Sequence, residues 1–252
     1  MFVALFYRTI EVPIENCVHF CGFRYGHGDY NPYESYATGL HSGESLDNLR
    51  HQFIDFLQHY RPRNMGQALG ISLSKHYPLW LYPWKRFPKA KFTLSNGWFE
   101  DPSQPPDILT HFSDRGILRW RIEEELRWME HAYVSIKKEG YTPRLHRSYV
   151  TVRELRRKDR RGVFLLLDGN HRVSAMSALS FGSVLCKRLC FDIVHEERIE
   201  SWFGVRKGYY TREDALSIFG AYFTGNHNYR THSIPAPILG NATEACASRT
   251  YR

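Results

Sequence analysis

Residues 163–179 read VFLLLDGNHRVSAMSAL and divide into three parts of different character. The five apolar residues before Asp168 are typical of a buried strand. Gly169 permits a tight turn, and the Ala-rich stretch after it has the composition of a helix, with Gly182 as a stop. The sequence therefore predicts a strand, a turn and a helix in direct succession.

The predicted turn contains several side chains that suit phosphate chemistry. Backbone N–H groups at a helix start lack partners and attract phosphate, and Arg172 adds a bidentate donor for phosphate oxygens. His171 can donate a hydrogen bond or transfer a proton, and Asp168 can hold Mg²⁺ or accept a proton. The alternative is that Asp168 only caps the helix and that His171 and Arg172 are surface residues.

The segment from Leu167 to Leu179 resembles the phosphate-binding turn of the ParB/sulfiredoxin-like superfamily, D-G-x-H-R followed by an Ala-rich helix. Residues 135–143, SIKKEGYTP, are similar to the S-I-x-x-x-G-x-x-P box that precedes this turn in the family. Residues 202–223 are similar, more weakly, to uncharacterised ParB-like proteins of bacterial surface-polysaccharide gene clusters. The resemblance covers mainly residues 120–195.

The superfamily contains DNA partition proteins that hydrolyse CTP, sulfiredoxins that use ATP, and free-serine kinases that use ADP or ATP. The resemblance implies that Asp168 holds a metal ion and is catalytic together with His171. It further implies a nucleotide phosphate held by the turn and by the upstream box, at Gly169, Asn170, His171, Arg172 and Ser135. Because sulfiredoxins carry their reactive Cys where Asn170 stands, sulfinic-acid repair is not expected.

The free-serine kinases take a catalytic acid from the helical region before the turn, and this chain has several acids there. Glu124 is the predicted base, because Arg127 lies one helical turn away on a helix that leads to Ser135. The other acids of this region are Glu123, Glu125 and Glu130, and most of the cluster is expected to be a solvated helix face.

The fold predicted from these patterns is α+β, or mixed α/β, in three regions. Residues 111–225 form a ParB/sulfiredoxin-like domain, residues 1–110 form an aromatic-rich accessory or substrate region packed on it, and residues 226–252 form a polar tail. Helices are predicted over 45–60, 115–138, 173–179 and 211–223. Strands are predicted over 3–7, 17–23, 150–155, 163–167 and 184–194, and loops or irregular chain over 24–43 and 71–106.

The aromatic-rich segment 78–99 offers a candidate binding surface for an acceptor. Trp84 and Arg86 are its predicted substrate-binding residues, because aromatic faces pack on sugar rings and cations attract acidic or phosphorylated groups. The alternative is that these rings cover the neighbouring domain.

Composition limits the class of protein. The chain has 252 residues, 42% apolar and 24% charged, which suffices for a buried core. No uninterrupted run of about 18 apolar residues is present, so no membrane span is predicted. The net charge of +8 favours anionic partners, among them nucleotides, nucleic acid and phosphorylated sugars. Five cysteines without a signal peptide favour reduced thiols and a cytoplasmic protein rather than a zinc site.

The sequence thus predicts a nucleotide-dependent phosphotransferase. ATP or ADP, with CTP as a further candidate, would transfer a phosphoryl group with Mg²⁺ to a small hydroxyl substrate, such as a sugar or surface-glycan precursor in polysaccharide biosynthesis. The second interpretation is a nucleotide-switched DNA-binding or nuclease-like protein without kinase activity. It ranks lower because no helix-turn-helix pattern follows the predicted domain.

Overall fold

The computed structural model describes residues 7–27, 30–60, 62–79, 81–86, 119–146 and 148–226. Several predicted features lie outside these ranges. They are the residues 1–6 of the first predicted strand, Trp80 and Trp98 of the aromatic-rich segment, and the polar tail from residue 227.

Five strands form one mixed sheet: β1 (Tyr7–Pro13), β2 (Cys17–Val18), β3 (Val150–Arg156), β4 (Gly162–Asp168) and β5 (Ser183–His195). Their order is β1-β5-β3-β4-β2. β1 runs antiparallel to β5, β5 parallel to β3, β3 antiparallel to β4, and β4 parallel to β2.

The described residues form eight α-helices, three before residue 110 and five after it. They are α1 (Pro32–Ser42), α2 (Leu46–His59), α3 (Met65–Leu69), α4 (Arg119–Glu139), α5 (Pro143–His146), α6 (Asn170–Ala178), α7 (Phe203–Arg206) and α8 (Arg212–Thr224). Short 3₁₀ helices lie at Ile14–Asn16 and Glu196–Ser201. Helices with one mixed sheet make an α+β fold, which confirms the predicted class.

Side chains on the two faces of the sheet belong to two apolar clusters. Val150, Val152 and Leu166 share a cluster with Val173 and Met176 of α6. The other cluster joins residues of β3, β4 and β5 to α8 and to α2: Leu155, Val163, Leu165, Val194, Ile218, Phe219, Phe53 and Leu57. The alternation along β4 explains this division, since successive side chains of a strand point to opposite faces.

The prediction that residues 24–43 form a loop is wrong from Pro32 onward. Asn31 caps α1 by accepting hydrogen bonds from the backbone N–H groups of Tyr33 and Glu34, and Pro32 occupies the first helical position. Gly43, with a φ of 78°, ends the helix in the left-handed region. The Asn, Pro and Gly that indicated a loop are therefore the cap, first turn and stop of a helix.

The first strands also differ from the prediction. β1 occupies Tyr7–Pro13 and so continues beyond the predicted end at residue 7, and β2 covers only Cys17–Val18 of the predicted 17–23. Among the described strands these two are the outermost, where β1 pairs with β5 and β2 pairs with β4. The sheet therefore takes strands from both sides of the predicted division near residue 110.

The remaining predictions for the second half of the chain agree with the structure. β3, β4, β5 and α8 occupy the predicted positions within two residues, and α6 begins at Asn170, before the predicted start at Val173. Thr211 caps α8 by accepting a hydrogen bond from the N–H of Asp214. α4 is a single helix that continues one residue beyond the predicted end. Among the described residues, no helix combines the length and the apolar character that crossing a bilayer demands.

Candidate functional site

The turn between β4 and α6 has a backbone that only glycine adopts readily. Gly169 has a φ of 100° and stands immediately before α6. A Cβ atom here would lie 2.8 Å from Cγ2 of Val150 and 3.1 Å from Nη2 of Arg172. Glycine is thus required both for the left-handed conformation and for the close approach of the Arg172 side chain.

Arg172 is held in place from two sides. Its Nη1 donates a hydrogen bond to the Ser148 carbonyl at 2.7 Å, and its Nη2 donates to Oδ2 of Asp168 at 2.9 Å. The Asp168 side chain is 70% exposed, whereas that of Arg172 is 23% exposed. Within the described part of the chain only Oδ2 of Asp168 has a partner, so Oδ1 is accessible to a ligand.

His171 is paired with an acid from α4. Its Nε2 lies 2.8 Å from Oε2 of Glu125, and the two side chains are 21% and 11% exposed. The ring centroids of Tyr33 and Trp128 each lie 5.8 Å from that of His171. With an ionised Glu125 accepting the Nε2 proton, Nδ1 is the nitrogen of His171 that can accept another proton.

Glu124, the base predicted from the sequence, is not the acid that contacts His171. It lies 3.6 Å from Arg127 and is 31% exposed. The signal for Glu125 was present in the sequence, because Ile122 and Met129 are spaced three residues before and four residues after it. That spacing places Glu125 on the buried face of the helix.

His19 is a second histidine near the site, and no sequence pattern indicated it. It is fully buried, and its ring packs against Phe20, Phe23 and Tyr33. Burial, and then the neighbouring His171, lower the pKa of His19 to about 3. Its Nδ1 accepts a hydrogen bond from the backbone of Cys21, so the neutral ring carries its proton on Nε2.

The box at 135–143 consists of the last residues of α4 and the residues that follow it, and it lies beside the turn. Gly140, with a φ of 72°, follows the helix directly. The hydroxyl of Tyr141 donates to the Leu185 carbonyl at 3.1 Å and accepts from the N–H of Val150 at 3.0 Å. These bonds tie the box to the first residues of β3 and β5, beside the end of β4.

The box and the turn together line a cleft of about 510 Å³. Ser135 of the box therefore lies together with four residues of the turn that are distant from it in sequence, Asp168, Gly169, His171 and Arg172. The volume falls within the range of small-molecule sites. The lining consists of Trp128, His131, Ala132, Ser135, Ile136, Glu139, Gly140, Tyr141, Thr142, Ser148, Asp168, Gly169, His171 and Arg172.

Asn170, which was also predicted to contact phosphate, does not line this cleft. It begins α6, and its Oδ1 is buried without a hydrogen-bond partner among the described residues.

Trp84 and Arg86 lie outside the cleft lining. The Trp84 ring stacks on Tyr82 with a centroid distance of 5.2 Å and an interplanar angle of 6°. Its edges meet Trp202 and Phe219 at 5.4 and 6.1 Å. Arg86 is exposed. These contacts favour the alternative stated for the aromatic-rich segment, that Trp84 covers the rest of the fold.

The donor set of the cleft fits Mg²⁺ held jointly with phosphate. Among the described residues, no three or more His, Cys, Asp or Glu side chains are grouped to hold a metal ion. Mg²⁺ is usually held by one or two carboxylates together with substrate phosphates and water. Asp168, with its accessible Oδ1, offers one such carboxylate.

The basic turn between β3 and β4 has several partners within the protein. The Arg157 guanidinium lies over the ring of Phe223, 4.5 Å from its centroid. Arg161 pairs with Asp159 at 2.6 Å, and Arg156 pairs with Glu154. This arrangement is typical of a charged hairpin.

The described cysteines are removed from this chemistry. Burial raises the pKa of Cys17 and Cys21, and it raises the pKa of Cys186 to about 12. None of them lines the cleft.

Comparison of the chain with protein-family models, with curated proteins and with solved structures finds no match. The resemblance to the ParB/sulfiredoxin-like superfamily therefore depends on the motifs at 135–143 and 167–179 and stays a prediction.

Proposed function

We propose that this protein is a nucleotide-dependent phosphotransferase of the ParB/sulfiredoxin-like type that acts on a small hydroxyl substrate. The observation that carries the proposal is the convergence of Ser135 with Asp168, Gly169, His171 and Arg172 at one cleft. The turn indicates phosphate binding through its own residues, and the family resemblance links the box to the same nucleotide. A shared cleft is what a shared ligand requires.

In the proposed reaction, phosphate oxygens are bound by the Arg172 guanidinium and by the first N–H groups of α6. The guanidinium has a full positive charge, and the N–H groups at the helix start have a partial positive charge. Both suit a transfer that depends on positioning and charge neutralisation. Asp168 would hold Mg²⁺ with the phosphate oxygens, and the ion would offset further negative charge. Because Ser148 and Asp168 hold Arg172, little side-chain entropy remains to be lost on binding.

The acceptor hydroxyl is deprotonated by His171 in this scheme. Nδ1 takes the proton, the acceptor oxygen forms a bond to the terminal phosphorus, and the bond to the bridging oxygen breaks to release the shorter nucleotide. Glu125 is a positioning residue that fixes the His171 ring through Nε2 and stabilises the imidazolium. The acceptor proposed is a sugar or another small polyol.

The experiment measures binding and turnover of ATP, ADP and CTP with Mg²⁺ by the full-length protein. Arg172→Ala should abolish the nucleotide-induced rise in melting temperature, and Asp168→Asn should keep part of the affinity but lose hydrolysis. Arg212→Ala is the matched control, because Arg212 forms a surface pair with Glu200 outside the cleft. No shift and no hydrolysis with any nucleotide at millimolar concentration would refute the proposal.

The DNA-binding alternative makes a different prediction for the same samples. Duplex affinity would fall steeply with salt as counterions are released, and replacing Arg160 and Lys158 of the β3–β4 turn would weaken it. Tight, salt-sensitive DNA binding without turnover would favour this alternative.

A further inference from the structure

The cleft contains a large aromatic side chain that the motifs do not include. Trp128 lies on α4, is 36% exposed, and lines the cleft together with the turn residues. Its ring centroid lies 5.8 Å from that of His171, at an interplanar angle of 48°. An indole with about a third of its surface in solvent, at the wall of a polar cleft, can contact a ligand.

The charge of the cleft indicates that phosphate contacts alone supply limited affinity. Asp168 and Glu139 carry two negative charges against the single positive charge of Arg172, and Arg172 is already paired with Asp168. A polyphosphate without Mg²⁺ would thus meet more repulsion than attraction from these side chains. A ligand that also has a flat aromatic group would gain from Trp128 a contact that does not depend on charge.

We propose that Trp128 binds the base of the nucleotide by stacking, while Gly169 and Arg172 bind its phosphates. The inference depends on the proposed function, because it assigns a second part of the same ligand. Trp128 and Ser135 are seven residues apart on α4 and share the helix face that lines the cleft. The cleft thus has an aromatic wall and a phosphate-binding wall, as the two chemically different ends of a nucleotide require.

Stacking also predicts the order of affinity among nucleotides. Every base has a π face, so binding should tolerate different bases. The larger ring of a purine covers more of an indole than a pyrimidine does, so ATP should bind more tightly than CTP.

The experiment compares Mg·ATP with inorganic tripolyphosphate by titration calorimetry on the full-length protein. Trp128→Ala should weaken ATP roughly tenfold, the effect of losing one base–aromatic contact, and should leave tripolyphosphate affinity unchanged. Trp128→Phe should restore most of the ATP affinity. Val134→Ala is the matched control, because Val134 is exposed on the same helix but does not line the cleft.

The outcomes separate this inference from the proposed function. If wild-type protein binds tripolyphosphate as tightly as ATP, or if Trp128→Ala weakens both equally, stacking is refuted while the phosphate site stands. If Trp128→Ala weakens glucose 6-phosphate as much as ATP, the indole binds a sugar face and the inference is wrong. Binding of neither ATP nor tripolyphosphate would refute both proposals.

Discussion

Glu125 and His171 are 46 residues apart in sequence, yet Oε2 of Glu125 lies 2.8 Å from Nε2 of His171. The contact joins α4 to the first turn of α6. It leaves His171 exposed to the cleft on one side and backed by a nearly buried carboxylate on the other. A buried acid that orients an imidazole is the arrangement that makes histidine an effective base.

Replacing Glu125 with Gln should lower kcat and leave nucleotide affinity nearly unchanged. The amide oxygen can still accept the Nε2 hydrogen bond, but a neutral group does not stabilise the imidazolium. We expect a loss of kcat of about 10²- to 10⁴-fold and an altered pH profile, measured by nucleotide hydrolysis with binding by calorimetry. Glu124→Gln is the control and should behave as wild type. A loss confined to Glu124→Gln would restore Glu124 as the predicted base.

Gly169→Ala should destabilise the fold and disturb Arg172. Alanine at this position would have to adopt a φ near 100°, and its methyl group would lie 2.8 Å from Cγ2 of Val150. We therefore expect a loss of about 2–4 kcal/mol in the free energy of unfolding. Gly43→Ala is the matched control, since Gly43 also has a positive φ but a Cβ atom there would meet nothing within 4 Å. It should cost about 1 kcal/mol. Equal losses in urea titrations would show that crowding at Gly169 is unimportant.

Trp84→Ala should lower the melting temperature by several degrees without changing the KM for any acceptor. The indole packs among Tyr82, Trp202 and Phe219, and truncating a largely buried Trp costs about 3 kcal/mol. Arg86→Ala, at an exposed position, should leave stability unchanged. A raised KM in a stably folded Trp84→Ala protein would instead support the predicted substrate-binding role.

Glu130→Gln should destabilise the protein in a pH-dependent way. Burial raises the pKa of Glu130, but the hydrogen bonds from Arg50 and Tyr36 lower it by more than burial raises it. The pKa of Glu130 is therefore below its usual range. A lowered folded-state pKa stabilises the protein above the unfolded-state pKa of about 4.3, and this stabilisation is lost as the pH falls through the folded-state value.

At neutral pH we therefore expect Glu130→Gln to cost about 1 kcal/mol, with the difference from wild type shrinking below pH of about 4. Glu200→Gln, which alters a pair exposed at the surface, should show almost no difference at either pH. Urea titrations across this pH range measure both variants, and a constant difference would contradict the assigned cause.

The sequence predicted the second half of the fold well because its signals are local. The apolar run before Asp168, the Thr211 cap and the stripe of α4 each specify one element through contacts within a few residues. The N-terminal strands could not be placed in the same way. β1 and β2 are stabilised by hydrogen bonds to β5 and β4, which are distant in the sequence, so local propensity does not define their limits.

The site was predicted as far as its residues belong to the two motifs, which include Ser135. Asp168, Gly169, His171 and Arg172 are within one turn, and the motif identified them directly. Glu125 was missed because the prediction followed the spacing of Glu124 and Arg127, although Ile122 and Met129 place Glu125 on the buried face of α4, where it meets His171. His19 was missed because no pattern in the sequence around it indicates that it lies close to His171 in the fold.

The pairing of β1 with β5 has a consequence for how the chain acquires its fold during synthesis. Tyr7 pairs with Leu189, and Cys17 pairs with Phe164. β1 and β2 therefore cannot pair with β5 and β4 until those later strands have left the ribosome. Until then the strand edges of the nascent chain offer unsatisfied hydrogen-bonding groups to other chains. Such long-range closure is slow, and we expect the folding yield to depend on translation speed and on chaperones that shield the first twenty or so residues.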